Sequence, residues 1–141
     1  MHELNEKVEI INVIYPVSQS AGGNAASDAA DLSRYDGILF SLACGTIESG
    51  KKVVLTAEES DNESMTGAAE IGSVEIVGDG ATAKNSACLY IAAEANRKRY
   101  VRVKVSNTSA SADVLLSVVG AAESARYPKP ECISALEELL R

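Results

Sequence analysis

The strongest constraint in the sequence is residues 100–106, Tyr-Val-Arg-Val-Lys-Val-Ser. Val101, Val103 and Val105 alternate with Arg102 and Lys104. Successive side chains of an extended chain point to opposite faces. This order therefore sends three valines one way and two cations the other, whereas a helix would scatter the valines around its axis. A half-buried strand of this kind needs others to pair with. Residues 38–44 offer one: Ile38, Phe40, Leu42 and Cys44 share a face, and Leu39, Ser41 and Ala43 make the opposite face apolar or small, as in a central strand. Residues 52–60 set Val53, Leu55 and Ala57 against Val54, Thr56 and Glu58. Further strands are predicted at 8–15, closed by Pro16, and at 71–77, at 87–92 with Leu89 and Ile91 facing together, and at 114–119. Between them lie the turn Tyr35-Asp36-Gly37, a hairpin at Ser49-Gly50, an acidic loop at 58–64, Gly78-Asp79-Gly80, a basic turn at 96–99 and a small-residue turn at 107–112.

Seven to eight short strands with no long amphipathic helix among them predict an all-β fold, a jelly-roll-like antiparallel β-sandwich, and disfavour a parallel βαβ sheet. The 141 residues make one domain, 1–141, long enough to bury a core without disulfides or a metal. Aromatic residues are 4% of the chain and Trp is absent, so Val, Ile, Leu and Ala must build that core. Residues 18–33, rich in Ala, Ser, Gly, Asn and Asp, predict a long loop or arm with one helical turn near 26–32. The tail, 128–141, differs again. Pro128 and Pro130 fix an extended exit, and 131–141 then predicts a short helix with an apolar stripe of Ile133, Leu136, Leu139 and Leu140. Glu131 near its start and Arg141 at its end suit the helix dipole. A lone helix of this length is marginal in water, so it must dock on its own sandwich or on a neighbouring subunit.

The polar residues exclude more functions than they suggest. A net charge of −7 repels phosphate backbones and disfavours nucleic acid. Apolar runs fall short of the roughly 18–20 residues that cross a bilayer, and the polar stretch 1–9 does not resemble a signal peptide, so no membrane is expected. Cys44, Cys88 and Cys132 match no zinc spacing and cannot pair completely. Buried free thiols, in a protein that matures in a reducing cytoplasm, are the expectation. His2, the one histidine, lies near the chain start, which leaves a catalytic triad, an acid–base pair or a cupin-like metal site without a positioned imidazole. Glu58, Glu59, Asp61 and Glu63 lack the spacing of a calcium loop and form a solvated acidic turn; a carboxylate hydrolase is the distant alternative. Gly78-Asp79-Gly80 is too short for a phosphate-binding fingerprint. Arg97, Lys98 and Arg99 form a basic cluster without interleaved aromatics, either a solvated turn or a patch for an acidic protein partner. No enzymatic activity, cofactor or metal is expected.

The layout also carries a resemblance. Tyr35-Asp36-Gly37 leads into an apolar strand ending near Gly45-Thr46-Ile47, and a strand ending Glu59-Ser60-Asp61 follows. Then come Lys98-Arg99-Tyr100-Val101-Arg102-Val103, a small-residue hairpin and a last apolar strand. In size and layout, over roughly residues 35–128, this resembles the small structural proteins encoded beside major capsid genes in tailed phages and prophages. It is similar to the jelly-roll cementing, or decoration, proteins of short-tailed phages of the Bordetella phage type. The resemblance implies a mechanical role without catalytic residues: a protein made in the host cytoplasm, seated on the outer capsid surface of the virion, clamping neighbouring major capsid subunits, often as a homodimer. Candidate contacts then lie on the arm and the tail, with Tyr127, Ile133, Leu136 and Leu140 as anchors. A carbohydrate-binding or adhesion module is the alternative on the same fold, and the dearth of aromatics argues against it.

Overall fold

The computed structural model describes residues 8–124, as nine strands and a single turn of 3-10 helix. The strands are β1 (Val8–Gln19), β2 (Asn24–Ala26), β3 (Ala30–Asp31), β4 (Tyr35–Cys44), β5 (Lys52–Ser60), β6 (Ala69–Val77), β7 (Asn85–Ala92), β8 (Tyr100–Asn107) and β9 (Val114–Ser124). The alternation of β8 is obeyed throughout: Val101, Val103 and Val105 are fully buried, while Arg102 and Lys104 are not. In β4 and β5 the inward rows are Ile38, Phe40 and Leu42, and Val53, Leu55 and Ala57, all essentially without solvent contact.

Two antiparallel sheets stack through these rows. One has the order β1-β9-β4-β7; the other has β2-β8-β5-β6, with β3 also pairing with β8. The two short strands β2 and β3 together occupy one strand position along β8. With that counted, the order is that of a jelly roll. β5 and β6 are the only strands consecutive in the chain that pair, so nearly every ladder closes over a long stretch of sequence. This corrects two expectations. The Ser49-Gly50 turn forms, with Gly50 at φ 77, yet it is not a hairpin, because β4 and β5 belong to opposite sheets. The same holds for the small-residue connection from β8 to β9.

Four further expectations change. Pro16 does not end the first strand. β1 continues to Gln19 and absorbs the proline in a register shift between Ile14 and Val17. It is an edge strand, where a missing N–H costs no ladder bond. Residues 18–33 are not a free arm: Asn24–Ala26 and Ala30–Asp31 are bonded to β8, and Ser27 donates its hydroxyl to the Asp28 carbonyl while accepting from the Val103 N–H. The helical turn lies at Leu32–Arg34, capped by the Asp31 carboxylate, rather than at 26–32. Asn107, placed in a turn by the sequence, ends β8 in full burial. Its amide donates to the carbonyls of Gln19, Ser20 and Ala112, and its carbonyl oxygen accepts the Ser109 N–H. One side chain thereby joins the loops at one end of the sandwich. The predicted C-terminal helix lies outside the described residues.

Replacing Phe40 by Ala should lower unfolding free energy by about 3–5 kcal/mol in urea titrations, because the ring is fully enclosed between the sheets. Tyr15→Ala, with the side chain 70% exposed, should change it by less than about 0.5 kcal/mol.

Candidate functional site

The two clusters singled out in the sequence meet in space through Glu59 and Asp61, while Glu58 and Arg99 find partners outside them. Glu59 turns to the inner side at the end of β5, where its partner across the ladder is Val101. There its carboxylate accepts from Arg97 Nη1 at 3.2 Å and from the Lys98 N–H at 3.1 Å. Glu58, on the outer side, takes Arg102 Nε at 2.9 Å, and Asp61 lies 4.0 Å from Lys98 Nζ. Arg99 forks onto both oxygens of Asp31, at 3.1 and 2.9 Å, and its guanidinium lies over the Tyr100 ring, 5.1 Å from the centroid. The basic turn is thus a clasp that joins β5, β8 and the start of the 3-10 turn. Its cations are engaged within the chain. Among the described residues, no group of three or more His, Cys, Asp or Glu side chains is placed to hold a metal ion.

Beside the clasp, a cleft of about 630 Å³ opens between β1 and β3, walled by Ile11, Val13, Asp31, Tyr35, Arg99 and Tyr100. Its chemistry is structural. Tyr35 donates its hydroxyl to the buried carboxylate of Glu9 at 2.8 Å, and burial, then that carboxylate, pushes the phenol up to about 12. The Arg99 guanidinium holds the Asp31 carboxyl at about 2, well below the usual carboxylate range. Both shifts lock the ionisation states that the pairs already favour. Neither leaves a group poised to exchange protons near neutral pH.

The outer faces of the two sheets are unlike. On the second sheet, Lys52 pairs with Glu75 at 3.0 Å and Arg102 with Glu58, with Lys104 between them along β8. On the first sheet, one rung runs across all four strands, Ile10, Ala121, Leu39 and Tyr90. The next contains Val119, Ser41 and Cys88, and the third Ser117, Ala43 and Ser86. None of these residues carries a charge. Ile10, Leu39 and Tyr90 are 55%, 38% and 54% exposed, and Leu115, farther along the same face, is 68% exposed. The Tyr90 ring lies across Gly37, where any Cβ would collide with it, so glycine there is what lets the ring lie flat on the sheet. A shallow groove of about 600 Å³, bordered by Val17, Gly45, Lys84 and Leu115, continues this face.

Alternation in β7 puts Leu89 and Ile91 inward and therefore Cys88 outward, opposite Ser41. The expectation of a buried thiol is correct for Cys44, whose thiol burial pushes up, and is overturned for Cys88. The anchors proposed from the sequence, Tyr127, Ile133, Leu136 and Leu140, lie outside the described residues, as does Cys132. The neutral face itself went unread in the sequence. Its signal was present in β4, where Leu39, Ser41 and Ala43 had been assigned to the interior of a sheet rather than to an uncovered surface.

No family model and no curated protein matches the chain. Among solved structures it is similar to the PBSX exported protein XepA, with a TM-score of 0.58 and 14% identity, covering 87% of this chain and 39% of that one. It is similar also to the PRD1 vertex protein P5, with a TM-score of 0.51 and 11% identity over 82% of this chain and 96% of that one. A third likeness is to a chain of the infectious bursal disease virus Gx strain, with a TM-score of 0.52 and 16% identity over 86% and 34%. The chain spans well under half of XepA and of the bursal disease virus chain, and nearly all of P5. At such identities these likenesses show the fold: the chain is a jelly-roll β-sandwich, a fold shared by proteins of phages and viruses.

The Asp31–Arg99 pair should show in acid. Because Asp31 is held at about 2 in the folded chain against an ordinary 3.8, its contribution is full above pH 4 and is lost as pH falls through that window. Arg99 is more than half solvated, so water screens the pair and the contribution is small. Thermal melts of the native chain and of Asp31→Asn should differ at pH 7 and converge near pH 2. A gap that persists at pH 2 would assign the effect to packing instead.

Proposed function

We propose that this chain is a structural, non-enzymatic virion protein that binds the outer capsid surface and stabilises the shell by bridging neighbouring major capsid subunits. The observation that carries the reading is where the chain ends leave the block. Val8 of β1 pairs with Glu123 of β9, so the two ends of the described chain lie side by side at the rim of the uncharged face, and segments 1–7 and 125–141 adjoin them in sequence. Tyr127, Ile133, Leu136 and Leu140 follow directly. The β-sandwich is a rigid spacer whose charged clusters are occupied with holding it together, and the tail is the part left to grip another protein. Apolar and aromatic side chains of that kind dominate contact energy once enclosed. Each contact adds buried area across a boundary between subunits, and binding of the assembled shell in preference to its separated subunits stabilises the assembly by mass action. The fold neighbours from PRD1 and from infectious bursal disease virus are themselves parts of viruses, which agrees with this setting.

The test uses the full chain and capsids assembled from a major capsid protein encoded in the same genome. Substituting Ile133, Leu136 and Leu140 together by Asp should reduce capsid occupancy at least tenfold in co-sedimentation while leaving the far-UV spectrum of the sandwich unchanged. Unchanged occupancy removes the tail from the contact. Failure of the native chain to bind, together with micromolar hits on a glycan array, would replace this reading by the carbohydrate-binding alternative.

A further inference from the structure

We propose that the free edge of β7 is a docking edge for an extended segment of another protein, which joins the β1-β9-β4-β7 sheet as a fifth strand. The inference goes beyond the capsid reading and does not rest on what the tail grips.

A strand at the end of a sheet offers unpaired N–H and C=O groups to any passing chain, and folded proteins blunt such edges. Three of the four edges here are blunted. β1 carries Pro16 and two register shifts. β2 and β3, which share one edge, are three and two residues long. β6 carries Glu70 and Glu75, with a register shift beside Glu70. β7 has none of these devices. Its eight residues include no proline, glycine or charge, and they run in register with β4 from Asn85 to Ala92.

The phase of the β4–β7 ladder decides which groups are open. The Ala93 N–H donates to the Asp36 carbonyl. By antiparallel alternation, Ala87, Leu89 and Ile91 also bond to β4, and Ser86, Cys88, Tyr90 and Ala92 turn their N–H and C=O groups away from it. Among the described residues, no strand pairs with β7 on that side. The bulky outer side chain of β7 does not block the approach, because the Tyr90 ring folds back over Gly37 of β4.

The surroundings define the occupant. A strand laid along β7 alternates its side chains between two surfaces. Those on the inner side lie beside Leu89, which reaches toward Gly72 of β6, and over the half-buried Val74 and Ile76. Such positions call for aliphatic residues. Those on the outer side lie beside Ser86 and Cys88, where β7 offers no charge to pair with. The segment is therefore extended, proline-free and uncharged, with an aliphatic residue at every second position.

The chain's own ends do not meet that description. Residues 1–7 adjoin β1 at the opposite edge and include Glu3, Glu6 and Lys7. The tail holds Pro128 and Pro130, and Ile133, Leu136 and Leu140 then recur at helical rather than alternate spacing. A second copy is opposed by charge. Two sandwiches joined at β7 would bring together two β6 strands, each with Glu70 and Glu75, in chains that carry −7 apiece. A lone strand brings neither, and it brings no second sandwich to continue the pairing.

A capped, fluorescein-labelled peptide of alternating Thr and Val serves as the probe. It should bind the full native chain in anisotropy titrations. Its fully N-methylated form, which keeps the side chains but has no N–H, should bind at least about tenfold more weakly. On binding, the amide hydrogens of Ser86, Cys88 and Tyr90 should exchange at least about tenfold more slowly, while those of Ala87, Leu89 and Ile91, already held by β4, should not change. Cys88→Pro removes an N–H from the free edge without removing a bond to β4, and should abolish binding. The amide pattern is read on the native chain, so it decides the matter even where that variant fails to fold. No binding of the peptide, equal binding of its N-methylated form, or slowing that does not alternate along β7 would overturn the proposal. So would slow exchange at Ser86, Cys88 and Tyr90 before any peptide is added. Independent of protein concentration, it would give the edge to the chain's own tail; rising with concentration, it would give it to a second copy. Peptide binding without capsid occupancy would sink the capsid reading alone, and capsid occupancy without peptide binding would sink this inference alone.

Discussion

Everything in this molecule hangs on one layer of aliphatic contact between two sheets. Val101, Val103 and Val105 of β8, with Val53 and Leu55 of β5, meet Ile38, Phe40 and Leu42 of β4 and Val118 of β9, all without solvent contact or nearly so. These four are the central strands of their sheets, and each is held on both sides. Because side chains alternate strictly, burying one row commits the opposite row of each strand to the outside. The character of both outer faces is therefore a consequence of the core. β5 and β8 buried their aliphatic rows and presented Glu58, Arg102 and Lys104, whereas along their central rungs β4 and β9 present Leu39, Ser41, Ala43, Ser117, Val119 and Ala121.

A core of this kind says little about strand order, and polar pins supply what it omits. Ladders that close over most of the chain length are slow to find, and their register must be fixed at the ends. Asn107 ties three carbonyls from two loops at one end. At the other, Glu59 holds Arg97 and the Lys98 backbone, and Asp31 holds Arg99. The buried contact of Tyr35 with Glu9 ties β4 to β1, two strands separated in the sheet by β9. Breaking the contacts of Asn107 or of Tyr35 with Glu9 would strand a polar group away from water, which makes them specifiers of arrangement more than sources of net stability.

The same distinction decides how much was legible in the sequence. The strands with clean alternation, β4, β5 and β8, were readable because burial imposes a period of two on side chains that local chemistry leaves free. What escaped was governed by contacts remote in sequence. The stretch 18–33 looks like a loop because β2 and β3 draw their order from β8, some 70 or more positions away, rather than from any period of their own. Pro16 looks like a terminator because nothing local says that β1 is an edge. Asn107 looks like a turn residue, and its burial follows only once the two loops converge on it. In the candidate site, the acids at 58–63 and the bases at 97–99 are both visible; that Glu59 meets Arg97, and that Arg99 reaches Asp31 instead, follows only from how β8 pairs with β5 and β3. The neutral face was hidden for a similar reason: two apolar faces on β4 fit a strand covered on both sides as well as they fit one with an open side.

That open side bears on how such a chain can associate at all. A sandwich can be joined through its edges or through its faces. The β1 edge is spoiled for pairing by the register shifts around Ile14 and Val17 and by Pro16, which offers no N–H to an incoming strand. The β6 edge carries Glu70 and Glu75, which repel a second copy presenting the same strand. Of the two outer faces, that of the β1-β9-β4-β7 sheet is the one whose central rungs lack charge. Edge pairing is open-ended and leads toward fibres, whereas face pairing about a two-fold axis is closed by its own symmetry. The core thus decides which groups each outer face can offer: ion pairs on the β5–β8 side, and uncharged residues on the β4–β9 side.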